Sequence, residues 1–206
     1  MEECKGIIRT FSKDISMEFG LDKCAVLHTE KGKIVEHPQN DDIQALAAAE
    51  DYKYLGILQC DNTLHQLVKN KATKEYLNRL RQILHSGLSA PNITTAIATF
   101  AVPVLRYTFG SIRWTRRELD SLDRRTRKIL TKNGFHHPKS DVDRLYLPRQ
   151  QGGRGLVNIR GCWLQENQNL AIYLHDNRND DPHVKLIAQA ESRLKRGIMT
   201  FYHPPQ

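Results

Sequence analysis

Apolar residues recur at intervals of three and four along most of the chain; short alternating runs occur only near its start. Cys4, Ile8, Phe11 and Ile15 share one face, which predicts an amphipathic helix over residues 2–16. In "MEFGLDKCAVLHTEKGKIVE", residues 17–36, an apolar run (24–27) is followed by a polar turn (29–32) and a second run (34–35). That pattern predicts a β-hairpin with a lysine at its entrance. "HPQNDD" (37–42) is a turn-rich loop, and "YKYLGIL" (52–58) alternates and is rich in β-formers. It predicts a third strand, in which Gly56 allows a bend or a close backbone approach.

From Asn62 onward the period is helical. Thr63 and Gln66 stand at capping-box spacing ahead of a stripe made by Leu64, Leu67/Val68, Ala72, Tyr76/Leu77, Leu80 and Ile83/Leu84. Lys69, Lys71, Lys74, Arg79 and Arg81 lie mostly off that stripe, and Gly87 is the expected C-terminal cap. A second helix opens near Pro91, with Ile93, Ala96/Ile97, Phe100/Ala101 and Val104/Leu105 inward; Pro103 is expected to kink or end it. A third starts at a Thr115–Glu118 capping box, faces Leu119, Leu122, Thr126 and Ile129/Leu130 inward, and stops at Gly134. Residues 135–158, with two prolines and three glycines, read as mainly irregular chain. Two further helices are expected near 159–175 and 182–196, the last with Asp181 as N-cap.

The predicted class is therefore α+β: residues 1–61 as one helix plus three short strands, 62–134 as a helical bundle, and 135–206 as a linker with two further helices. No apolar run approaches the ~20 residues of a membrane span, and the N-terminus lacks the pattern of a signal peptide, so an intracellular protein is expected. Cys4, Cys24, Cys60 and Cys162 are widely spaced and read as reduced thiols without a metal. His136-His137 has no evident third ligand. Asp141 and Asp143 read as N-cap and first-turn acids of a short helix rather than as a nuclease pair.

Charge changes the picture more than composition does. The whole chain is +8. Residues 1–61 hold 7 Lys/Arg and 12 Asp/Glu, net −5, whereas residues 62–139 hold 15 and 4, net +11. Basicity concentrated in the middle third points to an anionic partner, with nucleic acid first among the candidates; solvated helix faces are the plainer reading. Arg116, Arg117, Arg124, Arg125, Arg127 and Lys128 crowd the third helix, and arginine forks phosphate bidentately. Asp120 with Arg124 and Asp123 with Arg127 stand at i,i+4 and are expected to dilute that charge. Arg154, in "GGRG", is a further phosphate candidate, on the expectation that backbone amides are exposed around it.

"MEFGLDKCAVL", "YKYLGIL", "VPVLRYTFG" and "LPRQQGGRGL" occur in that order. The ordered set resembles the later part of the reverse transcriptase of non-LTR (LINE-type) retrotransposons, closest to those carrying a restriction-like endonuclease, over about Ser12 to Ile159. The resemblance implies the end of a polymerase palm followed by a helical thumb. It makes Lys23 the inherited general-acid candidate, Tyr54, Leu55 and Gly56 the turn that meets the primer, and residues 62–134 the thumb. The metal-binding aspartates of such polymerases precede these motifs. No paired-Asp turn stands ahead of residue 17, and Asp41-Asp42 comes too late in the order, so the expectation is a chain that begins after them. Magnesium is then expected only for the complete polymerase, and no cofactor for this chain.

The expected function is to contact an RNA or DNA template–primer through its phosphates, in the nucleus or cytoplasm, without polymerising. A non-catalytic nucleic-acid-binding or protein-interaction module domesticated from such an element is the alternative. A polymerase completed by a palm on another chain is a third.

Overall fold

Helices carry most of the described chain, and strands are confined to its first third. The computed structural model describes residues 2–18, 20, 24–26, 29–31, 33–35, 44–45, 52–59, 64–195 and 197–203. The chain forms two units, Met1–Leu64 and His65–Gln206.

The first unit opens with α1 (Glu2–Asp14), followed by β1 (Ala25–Val26), β2 (Thr29–Glu30), β3 (Lys33–Ile34), β4 (Gln44–Ala45), β5 (Tyr52–Tyr54) and β6 (Ile57–Gln59). Among the described residues the strands form three separate pairs. β1 runs parallel to β4, with Ala25 opposite Gln44. β2 and β3 are antiparallel, with Glu30 opposite Lys33. The expected hairpin is thus displaced: residues 29–30, expected in the turn, are strand, and residues 25–26 pair with 44–45 instead of 34–35. A two-residue turn with Lys31 at φ 48° closes the hairpin more tightly than the longer turn expected. The expected single strand at 52–58 is likewise a hairpin. Tyr54 pairs with Ile57 across Leu55 and Gly56, which take φ 46° and 81°. Positive φ at both central residues is what a tight hairpin turn requires, and a leucine there costs roughly 1 kcal/mol or more.

Ala25, Val26, Tyr52, Ile57 and Leu58 of this unit are half-buried. Of the stripe that predicts an amphipathic α1, Ile8, Phe11 and Ile15 are exposed.

The second unit contains α2 (His65–Leu84), α3 (Ala90–Ala96), α4 (Val102–Arg106), α5 (Arg116–Lys132), α6 (Asp143–Tyr146), α7 (Ile159–Asp176) and α8 (Pro182–Ser192). On α2, Val68, Ala72, Tyr76, Leu77 and Leu80 are buried. The capping box expected at its start rests on Thr63, outside the described residues; the Gln66 amide donates to Asn70 Oδ1 at 3.1 Å. Pro103 neither ends nor breaks its helix. A π turn over Ile97–Ala101 separates α3 from α4, with the Val102 N–H reaching the Ile97 carbonyl. The wider turn accommodates a residue that lacks an N–H and would crowd a regular α-turn. Arg79 ties α2 to this turn by donating from Nη1 to the Phe100 carbonyl at 3.0 Å.

The capping box forms at the start of α5. At its other end Gly134 takes φ 71°. Its N–H bonds the Thr131 carbonyl and the Phe135 N–H bonds that of Leu130, a C-terminal motif that favours glycine. Leu119, Leu122, Thr126 and Leu130 form the buried stripe. Thr126 donates to the Leu122 carbonyl at 3.0 Å, so the Tyr76 hydroxyl is the donor in its 3.1 Å bond to Thr126 Oγ1. Burial pushes the Tyr76 pKa up to about 12.

Residues 135–206 pack into the same unit, with Leu145, Leu156, Ile159 and Ala171 buried. Asp181 caps α8 as expected, accepting from the N–H groups of His183 and Val184. That helix stops at Ser192, short of the expected 196, and Glu191 accepts the Ile198 N–H at 2.8 Å. The chain beyond packs on α7, with Phe201 edge-on to Trp163 at 5.3 Å. Cys24 and Cys162 are free thiols, and among the described residues no helix is long and apolar enough to cross a membrane.

Native-state hydrogen exchange is expected to protect α2 and α5 well above β5 and β6, because isolated two-stranded pairs are marginal in water. Protection of the β5–β6 amides equal to that of α2 would show the hairpin to be as stable as the helical unit.

Candidate nucleic-acid interface

The orientation of α5 is set at its first turn. Glu118 accepts from the Thr115 N–H at 2.7 Å and from its hydroxyl at 2.8 Å, while its own N–H bonds Thr115 Oγ1. Both Glu118 oxygens also accept from Lys69 Nζ of α2, each at 2.9 Å. The expectation that Lys69 lies off the apolar stripe fails: its side chain is 9% exposed, and its ammonium lies 5.7 Å from the Trp114 ring centroid. The signal was present in the sequence, since Lys69 precedes Ala72, Tyr76 and Leu80 by three, seven and eleven residues. Trp114 is fixed in turn, donating from Nε1 to Thr108 Oγ1 at 2.9 Å and meeting Phe109 edge-on at 6.1 Å. Burial works against the Glu118 carboxylate, but the bonds from Lys69 and Thr115 outweigh it and hold its pKa below the usual value.

With its stripe of Leu119, Leu122, Thr126 and Leu130 turned inward, the helical period puts Arg117, Arg124 and Lys128 on the opposite side. They span roughly 16 Å at 1.5 Å per residue. Arg125 and Lys132 flank them on one side and Arg116 on the other. Arg116, Arg117, Arg124, Arg125, Lys128 and Lys132 are all exposed. Among the described residues none of these cations has an ion-pair partner; the pairs of this region lie elsewhere.

Those pairs account for every acid in residues 62–139. Glu75 holds Arg79 at 2.7 Å, Glu118 holds Lys69, Asp120 lies 3.8 Å from Arg160, and Asp123 holds Arg127. The expected dilution therefore fails for Asp120, which meets Arg160 of α7 and not Arg124. It holds for Asp123, with a consequence for Arg127. That guanidinium also reaches the Tyr146 hydroxyl at 3.3 Å, and Tyr146 donates to Asp123 Oδ1 at 2.6 Å. Burial, then the bond to Asp123, push the Tyr146 pKa up. Arg127 is thus part of a half-buried knot joining α5 to α6, while its five neighbours in the predicted set face water.

Arg154 differs from expectation. Its guanidinium carbon lies 4.8 Å from the Phe135 ring centroid. The surrounding amides are not available to a phosphate, because the N–H groups of residues 151–156 all bond carbonyls of residues 144–149. The loop closes so tightly that a Cβ on Gly153 would stand 1.9 Å from the Leu147 carbonyl oxygen.

Lys23 lies outside the described residues. Tyr54 ends β5, and Leu55 and Gly56 form the turn after it. His136 is buried, and burial followed by the nearby Arg154 charge holds its pKa below the usual value. His137 Nδ1 accepts the Lys139 N–H at 3.2 Å, and Asp141 accepts that of Asp143 at 3.1 Å. Among the described residues no group of three His, Cys, Asp or Glu side chains is placed to hold a metal.

Glu118→Gln is expected to destabilise the second unit by about 2–3 kcal/mol, because it leaves a buried ammonium short of its counter-charge and weakens the cap. A carboxylate with a lowered folded pKa stabilises fully above its unfolded value and loses that contribution as pH falls through the folded one. Wild-type stability should accordingly fall on acidification below about pH 4.5, and less so in Glu118→Gln. Urea melts across that window measure it; identical acid slopes would remove this role from Glu118.

Compared with protein-family models, with curated proteins and with solved structures, the chain matches none.

Proposed function

We propose that residues 65–206 grip the phosphate backbone of a nucleic-acid duplex along α5, as the template–primer-holding part of a reverse transcriptase of the non-LTR retrotransposon kind. The sorting of charge carries the reading. Each acid of the basic third is engaged by a cation off the ridge, which leaves Arg117, Arg124, Arg125 and Lys128 exposed and uncompensated on one side of one helix. Solvated helix faces ordinarily interleave both signs, whereas an uncompensated row of guanidinium groups suits a line of phosphates. Such contacts supply affinity and orientation without choosing a sequence. An intracellular place, nucleus or cytoplasm, accompanies that partner.

Magnesium enters only through the resemblance, as the ion that a complete polymerase uses to bind the triphosphate and the primer terminus. The residues described do not fit it. The acids near the ridge are taken up by cations, and no cluster of three ligands forms among the described residues. The grip proposed here needs no metal.

Titration of a short DNA duplex and of an RNA–DNA hybrid should give affinities that fall with salt at a log–log slope of about −3 to −4 for four contacts. Changing Arg117, Arg124, Arg125 and Lys128 to alanine should flatten the slope and weaken both ligands alike. Alanine is a strong helix former, so α5 should persist. Changing Lys185, Arg193 and Lys195 should do much less. A chelator should leave binding unchanged. A wild-type slope near zero would remove the nucleic-acid reading and leave a protein-interaction module in its place.

A further inference from the structure

Arg160 stands in the first turn of α7, far from α5 in sequence. Packing of the two helices brings its Nη1 to 3.8 Å from Asp120 Oδ1, with both side chains 44% exposed. On α5, Asp120 is one turn from Arg116 and one turn from Arg124, positions that face each other on a helix. It forms an ion pair with neither. One carboxylate therefore lies among three guanidinium groups, at the edge of the ridge and on the side toward α7. A pair this long and this exposed is worth roughly 0–1 kcal/mol. It presents little obstacle to exchange of partners.

A duplex backbone laid along Arg117, Arg124 and Lys128 brings phosphate oxygens toward Asp120 as a like charge and toward Arg160 as an opposite one. We propose, resting on the duplex-grip reading, that Arg160 is a nucleic-acid contact and Asp120 a built-in competitor for it. In the free protein the Asp120 carboxylate occupies Arg160. In the complex Arg160 turns to a phosphate, and the footprint extends from α5 onto α7. Asp120 weakens binding in two ways: it holds Arg160 until a phosphate displaces it, and it repels the incoming strand.

The test uses the full chain and the same short DNA duplex at varied salt. Arg160→Ala should reduce the slope by about 0.9 and weaken binding about five- to tenfold near 0.1 M salt, as loss of one phosphate contact does. Arg160→Lys should retain the slope, because the charge remains. Asp120→Asn should tighten binding about two- to fivefold, the range of an exposed pair. Arg178→Ala removes an equal charge just beyond the far end of α7 and should change affinity by less than about twofold. The pair is too weak for these variants to unfold the unit, which thermal melts will check. If the α5 alanine variant loses the slope but Arg160→Ala and Asp120→Asn match wild type, this inference is overturned and the grip stands. If wild type shows no salt-dependent binding, both fall together.

Discussion

The bond between Lys69 and Glu118 is the contact on which the second unit's arrangement depends. A buried ammonium is costly unless a carboxylate answers it, so α2 is compelled to meet α5 at the latter's first turn. The same carboxylate completes the Thr115 capping box, and Trp114 covers the ammonium. One side chain thus starts a helix, fixes its partner and sets its rotation. The buried Tyr76–Thr126 hydrogen bond, two turns further along both helices, holds the same rotation. The Asp123–Arg127–Tyr146 knot ties the outer flank of α5 to α6.

Rotation matters because it decides which charges face water. Turned as it is, α5 submerges Leu119, Leu122 and Leu130 and presents Arg117, Arg124 and Lys128. The acids that would compensate those cations are held by Lys69, Arg79, Arg127 and Arg160. A net charge of +11 over residues 62–139 would mean little if its anions were spread among its cations. Its separation into local pairs and one open row is what gives the surface a direction and supports a phosphate backbone as its partner.

The two units contrast in how they are held. In the second, apolar stripes on α2, α4, α5 and α7 pack together and reach full burial at Leu80, Leu105, Leu119, Leu130 and Ala171. In the first, strands of two or three residues pair only in twos, and the apolar face of α1 is open among the described residues. The hairpin at Leu55 and Gly56 also carries a leucine at positive φ, a local backbone cost.

Local rules were enough for much of this. The stripe of α5, its capping box at Thr115 and Glu118, its end at Gly134 and the Asp181 cap of α8 were all legible, because each depends on residues within one or two turns. Lys69 was half legible, since its spacing to Tyr76 and Leu80 put it on the stripe while its charge argued against burial. Other features depend on neighbours distant in sequence. The parallel pairing of residues 25–26 with 44–45 joins segments separated by a hairpin. The π turn before Pro103 has its Phe100 carbonyl held by Arg79 from another helix. The fate of Asp120 was decided by Arg160, which only helix packing brings within reach, and the "GGRG" amides were taken by carbonyls that the loop's own closure supplied. Sequence determined which residues are charged and which helices form; only tertiary structure decided which charges meet, because an ion pair depends on distance through space and not along the chain.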